Sequence, residues 1–514
     1  MSSNNRAAKS LKIRIQAALN QFQLPEPTQT PNGDEMRYAD KCGSYSKGLK
    51  QDTYGRVNLP AYQSLKKALA TGNSADFKKI IIGGTKTQNG PQGALAFDLE
   101  GADSAQFVSL PAPEVASEEY GTELIELYWA SLLRDVNFTK YKSEPMADKA
   151  AKELSAQTSY KGPRNASGKV TPHELFRGSF PGETDGPYLS QFFLQPTSLG
   201  EQPLSQRLTT YNPSQDFMTD LDSWFKVQNG IDTGMKTTDD PEKRFGRNGR
   251  DLAAYTHEDV LYQAYFTALL VLFDLLKAKK VSLNPGNPYI GSKTENGFGT
   301  LGGPDIAGML GELATRALKA VWYQKWCVHL RHRPESGGGI VHLVKNKMPI
   351  DCTLDNNILN SQALQESYAK YKTYLLSQAF PEGSPTHPAY PTGHGTVGGA
   401  CITILKYFFD GNSPIPDPKV PDEKGLNLMD YQGADAGKLT VNGELHKLAS
   451  NVSFGHGIHA GIHWRSDTYQ SILLGEEVAI CFLKERALTY NEPFTVTITR
   501  LNGKPELITN PGNP

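Results

Sequence analysis

The chain has 514 residues, with 53 Lys and Arg against 54 Asp and Glu, 38% hydrophobic and 21% charged. That length buries a sizeable core and suggests two or three domains, and a net charge of -1 offers nothing to a nucleic-acid backbone. Positions 1–10 lack the charged-then-apolar pattern of a signal peptide, and the most apolar run, 266–276, is too short to span a bilayer, so a cytoplasmic location without a membrane partner is favoured.

Positions 1–55 read as an N-terminal helix, carried by Leu11, Ile13, Ile15, Ala17 and Leu19, and then a Pro- and Gly-rich extended arm over 23–55. Such an arm either wraps a partner subunit or stays disordered. Positions 56–255 read as a helical region with long loops. A small hairpin is expected within 84–113, at Ala96-Phe97 and Phe107-Val108, and an apolar helix over 118–133. From 134 to 250 the chain is polar and punctuated by Gly and Pro, so it forms a few helices joined by loops of the kind that shape an active-site entrance.

Positions 256–490 hold the most helical sequence: 257–276, a run introduced by Pro304 and continuing toward Val328, 362–379, 396–409, and 444–463 running on toward Leu474. Strand-like alternation is confined to 494–499, 439–441 and a few short pieces, and 491–514 is a tail. The fold class is mainly α with minor β hairpins, the C-terminal half forming a bundle. Five cysteines (Cys42, Cys327, Cys352, Cys401, Cys481) include no CxxC pair, and their odd number reads as free thiols in a reducing compartment.

Six of the eleven histidines lie between 387 and 463: His387, His394, His446, His456, His459 and His463. Lys325 and Arg333 bracket the end of an apolar helix stopped by Pro334, so both reach one anion if the helix ends between them. The bland explanation is cations enriched at a helix C-terminus. In Thr392-Gly393-His394, Thr392 suits an N-cap, Gly393 offers a backbone N–H at a helix start, and His394 can donate or accept a proton. His387 lies in the same pocket, at its rim, or is merely structural. His456, His459 and His463 fall on one helical face, which invites zinc or copper. There is no HExxH pattern, and the neighbouring cations favour an anion whose central atom an imidazole coordinates. Asp467 is placed to accept from the His463 ring or to pair with Arg465.

Four stretches together carry a resemblance: Lys325 with Arg333-Pro334, Pro381-Glu382-Gly383-Ser384-Pro385-Thr386-His387-Pro388, Tyr390-Pro391-Thr392-Gly393-His394, and Gly461-Ile462-His463-Trp464. With them the chain resembles, over nearly its full length, the vanadium-dependent haloperoxidases, of the bromoperoxidase type found in red algae and cyanobacteria. The resemblance implies a fold with two four-helix bundles and an anion site shared with acid and lipid phosphatases. It implies that Lys325, Arg333, Thr392 (where serine is more usual) and the amide of Gly393 hold vanadate, that His463 bonds vanadium, and that His394 handles protons. His387 matches a second histidine that influences halide oxidation, and Lys325 counts with the catalytic groups. The implied reaction oxidises bromide or iodide with hydrogen peroxide to hypohalous acid, which halogenates small organic acceptors. A homo-oligomer, a dimer or a dimer-based assembly, is also implied, as is a structural calcium ion without assignable ligands.

One departure stands out. The family carries a second arginine six residues before the axial histidine, where this chain has Gly457, with His456 seven before His463. Either one residue is inserted and His456 takes the arginine's place, or that cation is absent. Three other readings remain at this stage: a phosphatase-like phosphoester hydrolase using the same pocket, a divalent-metal protein built on His456, His459 and His463, and a scaffold that has lost activity.

Overall fold

The computed structural model describes residues 3–512. Its helices, in chain order, are α1 (Ser3–Phe22), α2 (Leu59–Thr71), α3 (Glu118–Leu132), α4 (Pro145–Ala156), α5 (Gly249–His257), α6 (Gln263–Lys277), α7 (Gly303–Tyr323), α8 (Pro334–Lys345), α9 (Gln362–Tyr371), α10 (Gly393–Phe408), α11 (Val441–Phe454) and α12 (Arg465–Ala487), with shorter helical turns between them. Strands among the described residues form two-stranded antiparallel hairpins: β1 (Thr197–Leu199) with β2 (Gln202–Leu204), β3 (Lys419–Pro421) with β4 (Leu428–Asp430), and β5 (Phe494–Thr499) with β6 (Pro505–Asn510). The mainly α expectation holds. No helix of the described residues is long and apolar enough to cross a membrane.

Helix α10 is the centre of the molecule. Every one of its residues is buried, and it packs against α7, α11 and α12. Its approach to α12 is unusually close because glycines face each other's backbones. A Cβ on Gly399 would stand 2.0 Å from the Ile472 carbonyl oxygen, and one on Gly475 would stand 2.1 Å from that of Thr396. The main hydrophobic cluster runs through both halves of the chain, from Tyr38 to Ile508, and includes Leu124, Leu313, Ile402 and Ile472.

Several expected elements are cut short, each where a tertiary contact outbids helix periodicity. The 257–276 helix is two helices, α5 ending at His257 and α6 beginning at Gln263, and Val260 is exposed rather than core. The His257 ring is held from outside its own helix, stacked on Phe380 and bonded to Tyr211 and Glu382. The 362–379 helix stops at Tyr371, with Lys372 left-handed, so that Leu375 and Leu376 enter the core and Gln378 bridges to Phe217. The 84–113 hairpin is absent; that segment contains the short turns Pro91–Leu95 and Ser104–Gln106. At 439–441 the chain enters α11 rather than a strand.

The arm packs back on its own chain instead of reaching outward. Tyr45 and Leu49 are buried against α2 and Trp326, and the Tyr45 amide donates to the Leu330 carbonyl at 2.7 Å. The free-thiol expectation fails for two cysteines: Cys42 and Cys352 form a disulfide across 310 residues of sequence, while Cys327, Cys401 and Cys481 are free. Sequence spacing is blind to a pair that only folding brings together, and the argument for a reducing compartment lapses with it.

Gly399→Ala is expected to lower the thermal midpoint although alanine is the better helix former by about 1 kcal/mol. Forcing a methyl against a backbone carbonyl costs roughly 1–3 kcal/mol or more, so overpacking wins. A midpoint equal to or above that of the unaltered chain in a melting experiment contradicts this.

Candidate functional site

The end of α7 widens into a π-turn, Gln324–His329, that closes on Leu330 in left-handed conformation, and Arg333 then stands as the residue before α8. The helix thus ends between Lys325 and Arg333, and both turn toward the same backbone. Lys325 Nζ donates to the carbonyls of Pro388 and Ala389 at 2.8 and 2.7 Å. Arg333 donates to the carbonyls of His387 and Ile462, both at 3.0 Å, and through Nη1 to His463 Nε2 at 2.7 Å. Both cations are buried, and among the described residues neither is ion-paired with a carboxylate. Burial and then the charge of Arg333 hold the Lys325 ammonium well below its usual range, and burial pushes Arg333 down to about 10. Two buried cations without a counter-ion are a costly arrangement that an anion would relieve.

Thr392 is the residue before α10, as expected, but its hydroxyl makes no capping bond: the oxygen is buried and unbonded. The first N–H groups of α10, beginning with Gly393, have no intrahelical partner. An orphaned hydroxyl, free amides at the positive end of a helix dipole and two unpaired cations fit a bound tetrahedral oxyanion.

His463 lies past a break in the predicted 444–474 helix. Helix α11 passes into a second π-turn, Gly455–His459, the chain reverses at Gly461 with φ of 82°, and α12 begins at Arg465. The shared face of His456, His459 and His463 therefore does not exist. His459 points away and bonds the Tyr188 hydroxyl at 2.8 Å. Among the described residues no group of three or more His, Cys, Asp or Glu side chains is placed to hold a metal ion, and the three histidines of the divalent-metal reading are not gathered. A π-turn accommodates one residue more than an α-turn, and it brings the His456 ring to 4.0 Å from that of His394 and 5.8 Å from that of His463.

Asp467, in the first turn of α12, fixes the His463 ring. Its Oδ2 accepts from His463 Nδ1 at 2.8 Å and from the Trp464 amide at 3.1 Å. Its Oδ1 accepts from Arg331 at 2.8 Å, and Arg331 also bridges to Glu123 at 2.9 Å. With Nδ1 donating, Nε2 carries the lone pair and faces Arg333, the form in which an imidazole coordinates a metal. Arg465 pairs with Glu126 instead of Asp467. His387 stands inside the pocket: Arg333 Nη2 lies 3.0 Å from its Nδ1 and 3.3 Å from its Nε2, the Pro388 carbonyl lies 3.1 Å from Nδ1, and its ring packs on Trp322. His394 Nε2 donates to Asp259 at 2.9 Å. Burial, followed by Arg333 and Lys325, holds His387 and His463 well below the usual imidazole range.

The sequence reading missed Asp259, Arg331 and Glu123. Asp259 was hidden inside an assumed continuous helix, and the signal was the Glu258-Asp259 pair interrupting an apolar run. The segments carrying His387 and Asp259 also wall a cavity of about 920 Å³, lined by Lys47, Gln88, Met235, His257, Glu258 and Glu382.

This chain is 32% identical to a vanadium-dependent bromoperoxidase of Ascophyllum nodosum over 98% of its own length and 92% of the relative's. It belongs to the vanadium-dependent bromoperoxidases. A bromoperoxidase of Corallina officinalis is likewise 32% identical, over 97% of this chain and 98% of the relative. A solved homohexameric vanadate-dependent bromoperoxidase from Ascophyllum nodosum superimposes with a TM-score of 0.94 at 29% identity, covering 99% of this chain and 91% of that one. No family model matches the chain.

The hydrogen-bond partner of a metal-binding histidine sets its tautomer. Asp467→Asn, which offers an amide where the carboxylate accepted, is expected to weaken vanadate binding roughly 10–100-fold. Titration of the full chain with vanadate checks this, and unchanged affinity would show that Asp467 serves only the Arg331 pair.

Proposed function

We propose that this chain is a vanadate-dependent enzyme that oxidises bromide and iodide with hydrogen peroxide, releasing hypohalous acid that halogenates small organic acceptors. Family membership supports the reaction class. The observation that carries it to particular residues is a pair of buried cations without ion pairs at His463: Arg333 bonds its Nε2, and the charge of Lys325 also acts on its ring.

In this reading His463 Nε2 bonds vanadium, with Lys325, Arg333, the Thr392 hydroxyl, the Gly393 amide and His456 around the oxygens. Bound there, vanadate supplies a Lewis-acidic centre that activates hydrogen peroxide toward halide while vanadium stays at +5. The cations lower the cost of negative charge on oxygen, an effect that burial strengthens. His394 takes a proton from peroxide and returns one to the leaving oxygen, with Asp259 holding its Nε2 so that Nδ1 is left for the exchange. His387 lies on the opposite side of Arg333 and adjusts how halide approaches that cation. No calcium ligands are proposed.

The chain freed of bound anion should brominate a phenolic acceptor only with peroxide, bromide and added vanadate, and should release little phosphate from a phosphate ester. Robust phosphate release without bromination at saturating vanadate would sink the proposal. His394→Ala should keep vanadate binding but lower bromide oxidation roughly 10²–10⁴-fold.

The homohexameric relative supports a homo-oligomer, and α1 offers the surface. Gln21 ties one side of α1 to Glu485, while Leu11, Ile15, Leu19 and Phe22 form an exposed apolar stripe on another, with Phe97 and Leu99 also exposed nearby on the chain that bonds Glu485 through Gly101. A contiguous apolar surface of this kind marks a protein interface. The pair Leu11→Glu and Ile15→Glu should shift the light-scattering mass toward smaller species with the helical signal unchanged; an unchanged mass argues against α1.

A further inference from the structure

The pocket proposed above raises the question of which anions it prefers, and His456 bears on the answer. Its Nδ1 lies 3.2 Å from the carbonyl oxygen of Thr256 in α5. A carbonyl only accepts, so Nδ1 carries the hydrogen and Nε2 is the nitrogen with the free lone pair. Among the described residues no group bonds that Nε2, and the nearest rings are those of His394 and His463. The place beside the axial candidate therefore holds an acceptor, where a second arginine would have held a donor.

We propose that His456 accepts a hydrogen bond from an O–H of the bound anion, and that it makes the pocket select protonated tetrahedral oxyanions, such as phosphate and vanadate at neutral pH, over fully deprotonated ones such as sulfate. This rests on the anion-pocket reading. An oxyanion with an O–H donates to Nε2; sulfate sets an oxygen lone pair against the nitrogen's. His394 Nδ1, left free by the Asp259 bond, is a second acceptor at the pocket, so the His456 variants are what assign the preference to His456. Lys325, Arg333 and the α10 amides only donate and do not by charge separate sulfate from the hydrogenphosphate dianion, which carries the same charge, while the Thr392 hydroxyl can donate or accept. Asp467 is not free to act as the acceptor, because Arg331, His463 and the Trp464 amide occupy both of its oxygens. A preference for phosphate would thus come from its proton rather than from its charge.

The test is calorimetric titration of the full chain, freed of bound anion, with vanadate, phosphate and sulfate at neutral pH. Phosphate and sulfate are tetrahedra of similar size that differ in the proton. Phosphate is expected to bind roughly ten- to a hundred-fold more tightly than sulfate, the cost of leaving one buried acceptor unmatched. His456→Arg should bring the ratio close to one by strengthening sulfate, and His456→Ala should lower it by weakening phosphate alone. Equal binding of phosphate and sulfate by the unaltered chain, or a ratio unmoved in both variants, overturns the role of His456 while leaving the pocket standing. Failure of all three anions to bind overturns the pocket and this selectivity together. If neither variant folds, equal binding of phosphate and sulfate by the unaltered chain still overturns the proposal, and His456→Gln reads the ratio in their place.

Discussion

Burying Lys325 and Arg333 without a carboxylate ion pair among the described residues is the constraint that the rest of the site is built around. An unpaired buried cation is tolerated only if other dipoles replace water. Here backbone carbonyls do so, those of Pro388 and Ala389 for the lysine and of His387 and Ile462 for the arginine. Those carbonyls belong to the segment leading into α10 and to the turn leading into α12. Holding the charges therefore fixes the positions of both helix starts, and with them Thr392, Gly393, His394 and His463.

The same economy appears one layer out. Charge that is meant to stay neutralised is paired with carboxylates: Arg331 with Asp467 and Glu123, Arg465 with Glu126, Lys47 with Glu335. These pairs are buried, and breaking one would leave a bare charge at a cost of several kcal/mol, about 3–5 by precedent. Positive charge is thus left uncompensated where an anion can enter and is cancelled around it. The glycine contact of α10 with α12 completes the frame, because both helices deliver their N-terminal ends to the pocket from a tightly packed pair.

Much of the site was legible in the chain itself. Lys325, Arg333, Thr392, Gly393, His387, His394 and His463 were singled out by residue type, by the proline and glycine punctuation around them and by resemblance, and the structure gathers them. Less legible was anything that depends on where a helix stops. His459 looked equivalent to His456 and His463 because helical spacing of three and four residues puts side chains on one face only while the helix continues. It does not continue: the π-turn and the left-handed Gly461 rotate each histidine into a different environment. Asp259 was invisible for the same reason, and the Cys42–Cys352 disulfide because its partners are 310 residues apart.

What the sequence determined by itself was the helical class, the residues proposed as the pocket's donors, and the alternative at the family's second arginine, either His456 in its place or no cation at all. These are local properties, set by residue chemistry and by periodicity within a turn or two. Only the tertiary structure decided which histidines meet, which carboxylate orients His463, and which nitrogen of His456 carries its hydrogen. Those depend on contacts such as the Thr256 carbonyl and the Asp467 carboxylate, whose stabilisation appears only when distant segments are packed together and water is excluded.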